Sequence, residues 1–248
     1  MALIDWRGRG GTRLRIVPLG DSALLAEFST DVDLEVNARI QRAAGAIRAA
    51  CPKWVRDVVP AVGSLAIHFD ASSVEDPAAA REELRGLIEE AIAAAPGKRS
   101  RAEQQLLELP VCYGGEYGAD LEAVAMHAGV APEDVVHRHT VAEHRVLMVG
   151  FAPGHPYIGG LDATLAVPRL ATPRTRVPAG SVAIANAQTA VYPFAISGGW
   201  NLIGRTPLRV FDAARVPAAL FAPGQRVRFV SIDRAEFKHL RATQGSPE

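Results

Sequence analysis

The chain has 248 residues, enough for two modest domains or one large one, and its 48% hydrophobic content is that of a globular core, not of a disordered segment. Its 27 Lys and Arg balance 27 Asp and Glu, which excludes nucleic-acid binding through bulk positive charge, so any electrostatic function must be local. Cys51 and Cys112 are the two cysteines, far apart and with no CxxC, so neither a disulfide framework nor a thiolate metal site is expected, and a reducing compartment is.

Residues 1–13 are rich in Gly and Arg and read as a flexible N-terminus. They carry no apolar signal core, and no run in the chain approaches ~18 apolar residues, so a soluble cytoplasmic protein without a membrane or nucleic-acid partner is expected. "RLRIVPLG" and "SALLAEF" read as two strands meeting at Gly20-Asp21. From Val32 to Ala50, Leu34, Ala38, Ile40, Ala44 and Ile47 approximate helical spacing, with Asp31 or Asp33 as N-cap and Pro52 beyond the end. "VRDVVPAVGSLAIHFD" gives two more strands, and Asp76-Pro77 opens a second helix with Leu84, Leu87, Ile88 and Ile92 on one face. The order β-β-α-β-β-α predicts a small α/β domain over residues 14–96, with its helices on one side of a sheet.

Residues 97–104 lie in the polar stretch "PGKRSRAE" and beside it, and read as a linker. Beyond it "LLELPVCYG" is a strand, followed by two short helices up to His144. From Val146 to Ser231, short apolar runs ("VLMVGF", "SVAIAN", "AVYPF", "LRVFD", "RVRFVSI") alternate with Gly and Pro turns, which predicts a β-barrel or closed sandwich over 105–233. Residues 234–248 are left as a C-terminal tail. The fold class is therefore α+β.

The segment from Arg145 to Phe211 holds six arginines (145, 169, 174, 176, 205, 209), no lysine and the single carboxylate Asp162. Planar guanidinium groups suit bidentate capture of carboxylate or phosphate, so local anion recognition is the reading. Any one of Arg169, Arg205 or Arg209 could equally face solvent. The loops "PGHPY", "PAGSVAIANAQT" and "SGGWNLIGRT" place tight backbone beside His155, Ser181, Gln188 and Arg205, which lets N–H groups approach a ligand. "HRHTVAEH" has HxxxEH spacing, not HExxH, so no metal is expected there. No phosphate loop and no GxSxG elbow occurs. Trp200 is expected to pack against a core edge.

The blocks "GDSALLAEF", "SLAIHFD", "LPVCYGGEYGADLEAVA", "GFAPGHPYIGGLD", "PRLATPRTRVPAGSVAIANAQTAVYP" and "GGWNLIGRTPLRVFD", in this order, resemble the allophanate hydrolase subunit 1 family. The resemblance implies an N-terminal α/β domain followed by a cyclophilin-like β-barrel. It also implies one component of an ATP-dependent 5-oxoprolinase, acting with a homologous, larger C-type component and a separate A-type component to open 5-oxo-L-proline to L-glutamate. ATP, with Mg as its counterion, is the implied cofactor, and a partner protein can supply its contacts. Relatives with the same fold inhibit a sensor histidine kinase by docking on it, or form part of a urea carboxylase and allophanate hydrolase system, so these stand as alternatives. The chain departs from the family where His155 replaces an aromatic, where Asn186-Ala187-Gln188 replaces Gly-x-Gln, and where Ser-Pro is missing before Gly198-Gly199.

The expected site follows. Arg174, Arg176 and Arg205 supply charge to a substrate carboxylate or phosphoryl group, Gln188, Ser181 and the Gly198-Gly199 backbone fix orientation, and Tyr157 joins the residues that bind the substrate anion. His155, Gln188 and Arg205 form the catalytic set, with His155 either a tuned acid or base or a neutral ring filling the aromatic slot.

Overall fold

The structure is a computed structural model and describes residues 14–94 and 104–243. It divides into two compact units, Met1–Arg101 and Ala102–Glu248. The expected flexible N-terminus and all of the linker except residue 104 lie outside the described residues.

The first unit is a four-stranded antiparallel sheet in the order β1-β2-β4-β3, built from β1 (Arg15–Pro18), β2 (Ala23–Glu27), β3 (Val55–Pro60) and β4 (Ser64–Phe69). Along β4 the alternate residues Leu65, Ile67 and Phe69 join the core, and they meet Val36, Ile40 and Ile47 of α1 (Leu34–Ala50) and Leu84, Ile88 and Ile92 of α2 (Pro77–Ala93). Period-2 alternation on the strand and period-3.6 spacing on the helices therefore put both helices on one face. Asp33 settles the start of α1, because its carboxylate accepts from the N–H groups of Glu35 (2.8 Å) and Val36 (3.0 Å). Asp76 does the same for α2 through Ala78 N–H at 2.8 Å, with Pro77 in the first turn, where a missing N–H costs nothing.

The second unit is a closed barrel in the order β10-β7-β6-β13-β5-β12-β9. Its strands are β5 (Leu106–Tyr113), β6 (His144–Val149), β7 (Pro156–Gly159), β9 (Ser181–Ala185), β10 (Gln188–Val191), β12 (Asn201–Arg205) and β13 (Arg226–Ser231). Closure between the first and last strands is parallel, Arg226 to Ser231 running beside Leu106 to Val111, while the neighbouring pairs are antiparallel. Helices α3 (Leu121–Ala128) and α4 (Pro132–Val141) pack Leu121, Val124 and Val135 into the same core as Val111, Val182, Ile184, Ile203 and Phe229. Strands β8 (Arg174–Val177) and β11 (Ile196–Gly198) pair with each other as a two-stranded sheet outside the barrel ladder.

Two expectations are corrected. "LRVFD" is not a strand; it is irregular, tied by a single bridge from Phe211 to Ala219. Arg234–Thr243, expected as tail, is helix α5, whose Phe237 is buried with Cys112, Tyr117 and Ile232.

Candidate functional site on the barrel wall

Strand β9, SVAIA, is buried along its whole length. Val182 and Ile184 point into the barrel core, whereas Ala183 and Ala185 belong to a second cluster with Ala190, Leu202, Val177, Tyr192 and Trp200. Because successive strand residues face opposite sides, this second cluster covers the outer face of the wall. Val177 of β8 and Ile196 of β11 join it, so the small sheet shields that face from water. The three alanines leave depth for rings to settle on the strands.

Those rings frame a cavity of ≈ 230 Å³. Phe151, His155, Tyr157, Tyr192 and Trp200 form its walls, and Arg169, Pro173, Ser197, Gly198 and Gly199 complete the lining. Tyr157 reaches it because Ile158, its neighbour on β7, takes the inward position. His155 is the hub: its ring lies 5.4 Å from Phe151, 5.1 Å from Tyr157 and 5.2 Å from Tyr192, the first and last edge-on. Burial in this aromatic nest pushes the imidazole down to about 4, so it is neutral at pH 7. Phe151 holds φ 72°, a left-handed conformation uncommon for a bulky residue, and its ring stays exposed. Gly198 is required by space, since a Cβ there would collide with the Tyr192 phenol.

Arg169 is held over the cavity by its neighbours. The Asn201 side-chain amide donates to the Pro168 carbonyl at 2.9 Å, and Leu170 N–H donates to the Gly199 carbonyl at 2.7 Å. Its guanidinium carbon sits 5.8 Å from the Trp200 ring centroid, a cation–π arrangement. Both phenols feel this charge; burial raises the Tyr157 and Tyr192 pKa values, and Arg169 opposes the rise in each.

The expected residues thus separate. His155, Tyr157, Gly198 and Gly199 share the cavity. Ser181 and Arg205 are partners across the β9–β12 ladder, where Arg205 Nε donates to the Ala179 carbonyl at 2.7 Å. Arg205 lines a separate cleft of ≈ 10 Å³, about one water, together with Arg209 and Arg241. Arg174 is committed to an ion pair with Asp120 at 2.7 Å, and Asp120 is itself pinned by Leu202 N–H at 2.7 Å. Arg176 is exposed on β8 and lines neither space. Gln188 stands at the turn end of the β9–β10 hairpin, opposite Ala185, beside Asn186 at φ 51°. The anticipated triad of Arg174, Arg176 and Arg205 is therefore not one pocket. Tyr192 and Phe151 are what sequence reasoning passed over, Arg169 was counted among the six arginines without being placed in the site, and Trp200 serves the cavity as well as the packing expected of it.

His139 and His144, which gave the metal-like spacing, are stacked in the barrel core, and Glu143 instead pairs outward with Arg226 at 2.6 Å. Among the described residues no group of three or more His, Cys, Asp or Glu could hold a metal. Both cysteines are free. No helix among the described residues is long and apolar enough to cross a membrane.

Architecture and cavity define a two-unit α+β protein with a small-molecule-sized recess on the outer wall of a closed barrel. The chain belongs to the family described as carboxyltransferase domain, subdomain C and D, whose model matches residues 14–221. It is 38% identical over 230 residues to the B-type subunit of 5-oxoprolinase from Bacillus subtilis, covering 91% of this chain and 95% of that one. The B-type subunit of 5-oxoprolinase from Escherichia coli is 40% identical over 220 residues, 88% of this chain and 96% of that one. Among solved structures, TTHA0988 superposes with a TM-score of 0.73 at 34% identity over 85% of this chain, which spans only 40% of that longer chain. The Kluyveromyces lactis urea amidolyase shares the fold, with a TM-score of 0.71 at 18% identity over 96% of this chain and 16% of that chain.

Proposed function

We propose that the chain is the B-type component of an ATP-dependent 5-oxoprolinase that hydrolyses 5-oxo-L-proline to L-glutamate together with A-type and C-type partner proteins in the cytoplasm. The observation that carries this reading is the near full-length correspondence with B-type 5-oxoprolinase proteins, over 95% and 96% of their lengths. The barrel-wall cavity supports it by being the right size for a small ring, at ≈ 230 Å³ below the ~300–1,000 Å³ of drug-sized sites.

The same volume is too small for a nucleoside triphosphate. ATP and its Mg counterion therefore belong to the partner proteins in this reading, where ATP supplies the driving force for opening a poorly electrophilic amide. The work of this chain is to bind and orient the ring and to exclude water, which is where positioning lowers a barrier. His155 enters as a neutral wall of the recess, not as a proton carrier, because a group pushed to about 4 is a weak base.

The test is reconstitution of the chain with its A-type and C-type partners, following glutamate release from 5-oxo-L-proline. Release is expected to require ATP and all three proteins. Full activity of the two partners without this chain would overturn the reading.

A further inference from the structure

We propose that the barrel-wall cavity is a carboxylate site: Arg169 and the Tyr192 and Tyr157 phenols grip the carboxylate of a small cyclic acid whose ring lies among His155, Tyr157 and Trp200. The identity of the natural ligand, 5-oxo-L-proline, rests on the functional reading above; the chemical class does not.

The donors are free to act. Arg169 has no acidic partner among the described residues, whereas Arg174 is neutralised by Asp120. No carboxylate lines the cavity, so its field is positive. The Tyr192 hydroxyl lies against Gly198 in the cavity lining, which leaves its phenolic proton for an incoming acceptor. Tyr157 and Tyr192 both flank the His155 ring, at 5.1 and 5.2 Å between centroids, and both line the cavity, and the Tyr157 hydroxyl has no hydrogen-bond partner among the described residues. A guanidinium with two neutral O–H donors matches the lone pairs of one carboxylate.

Arg169 is also preorganised. Pro168 and Leu170 are both tied to β12 and its approach, and the guanidinium rests on Trp200, so little freedom is lost on binding. The aromatic walls suit the faces of a flat ring. With His155 neutral, no second cation competes for the acid.

The experiment uses the purified chain labelled with 5-fluorotryptophan, whose signals come from Trp6, Trp54 and Trp200, with Trp200→Phe giving the assignment. Titration with 5-oxo-L-proline and with cyclopentanecarboxylate is expected to shift the Trp200 signal saturably while Trp54, in the other unit, stays still. 2-Pyrrolidinone, which keeps the lactam but lacks the carboxylate, is expected to bind at least tenfold more weakly. Arg169→Gln and Tyr192→Phe should each weaken 5-oxo-L-proline by about tenfold, roughly the value of one charge-assisted hydrogen bond, and Arg169→Lys should recover part of the loss.

Equal binding of 2-pyrrolidinone, unchanged affinity in Arg169→Gln, or no Trp200 shift with either acid each overturns the proposal. Failure of the functional reading shows separately, as a reconstituted complex that releases no glutamate while the titration still saturates.

Discussion

Within the barrel core, His139 is completely buried and links two strands. Thr189 Oγ1 donates to the Ala183 carbonyl at 3.1 Å, so it accepts from His139 Nε2 at 3.1 Å, and Nδ1 is left to accept the Tyr113 hydroxyl at 2.8 Å. This assigns a neutral tautomer, and burial holds His139 well below the usual histidine value, with the neighbouring His144 adding to the effect. His155 is lowered by burial as well, to about 4. In each case the unfolded chain binds the proton more readily than the folded one. The stability these neutral rings allow is present above the unfolded value of 6.5 and is lost as pH falls below it, in the case of His155 down to about 4. At 1.36 kcal/mol per unit, His155 alone represents on the order of 3 kcal/mol. Urea midpoints measured at pH 7.5 and pH 5 are expected to fall on acidification, and His155→Phe should fall less. Its 5-oxoprolinase rate in the complex should drop far less than the ~10²–10⁴-fold loss expected when a general acid or base is removed; a loss of that size would restore His155 to proton transfer. Pairing that arises only on folding also explains why the arginines singled out in the sequence do not share one cavity. Charge counting sees six guanidinium groups but not Asp120, which precedes Arg174 by 54 positions and neutralises it only after folding. Arg169 gave no signal of its own, because what singles it out is the Trp200 ring beneath it.

Elements with strong local patterning were legible in the chain. Asp33 and Asp76 cap α1 and α2 where their spacing demanded, since a cap and an apolar stripe are both written within a few residues. Strand β9 also showed itself as an apolar run, but not why both of its faces are buried, which depends on β8 and β11 arriving from elsewhere. Parallel pairing of β13 with β5 joins residues 120 apart, and no local pattern encodes it. Helix α5 escaped because RAEFKHLRAT holds only Phe237 and Leu240 as large apolar residues, too short a stripe to read as periodic. Yet Phe237 is buried, with its ring 4.5 Å from Tyr117. Phe237→Ala is expected to cost about 3–5 kcal/mol, read as a lower urea midpoint for the barrel unit. A change within about 0.5 kcal/mol, the range of ordinary surface substitutions, would return this segment to the status of a tail.

Across the chain as a whole, the buried clusters divide without sharing a residue. The core of the first unit runs from Leu14 to Ile92, and those of the second draw on Leu107 to Leu240. Each unit therefore buries its own apolar surface, the requirement for folding alone. The cavity residues all fall between Phe151 and Trp200, inside the second unit. A fragment of residues 104–243 is accordingly expected to fold cooperatively and to show the same Trp200 shift with 5-oxo-L-proline as the full chain, within about threefold in affinity, the ordinary scatter of context effects near 0.6 kcal/mol. Ring opening is a different matter, because in the proposed function it depends on partner proteins. If the fragment binds the acid but cannot replace the full chain in the reconstituted complex, recognition resides in the barrel and the first unit serves assembly. If the fragment folds yet leaves Trp200 unmoved while the full chain responds, the carboxylate site is not complete within the barrel.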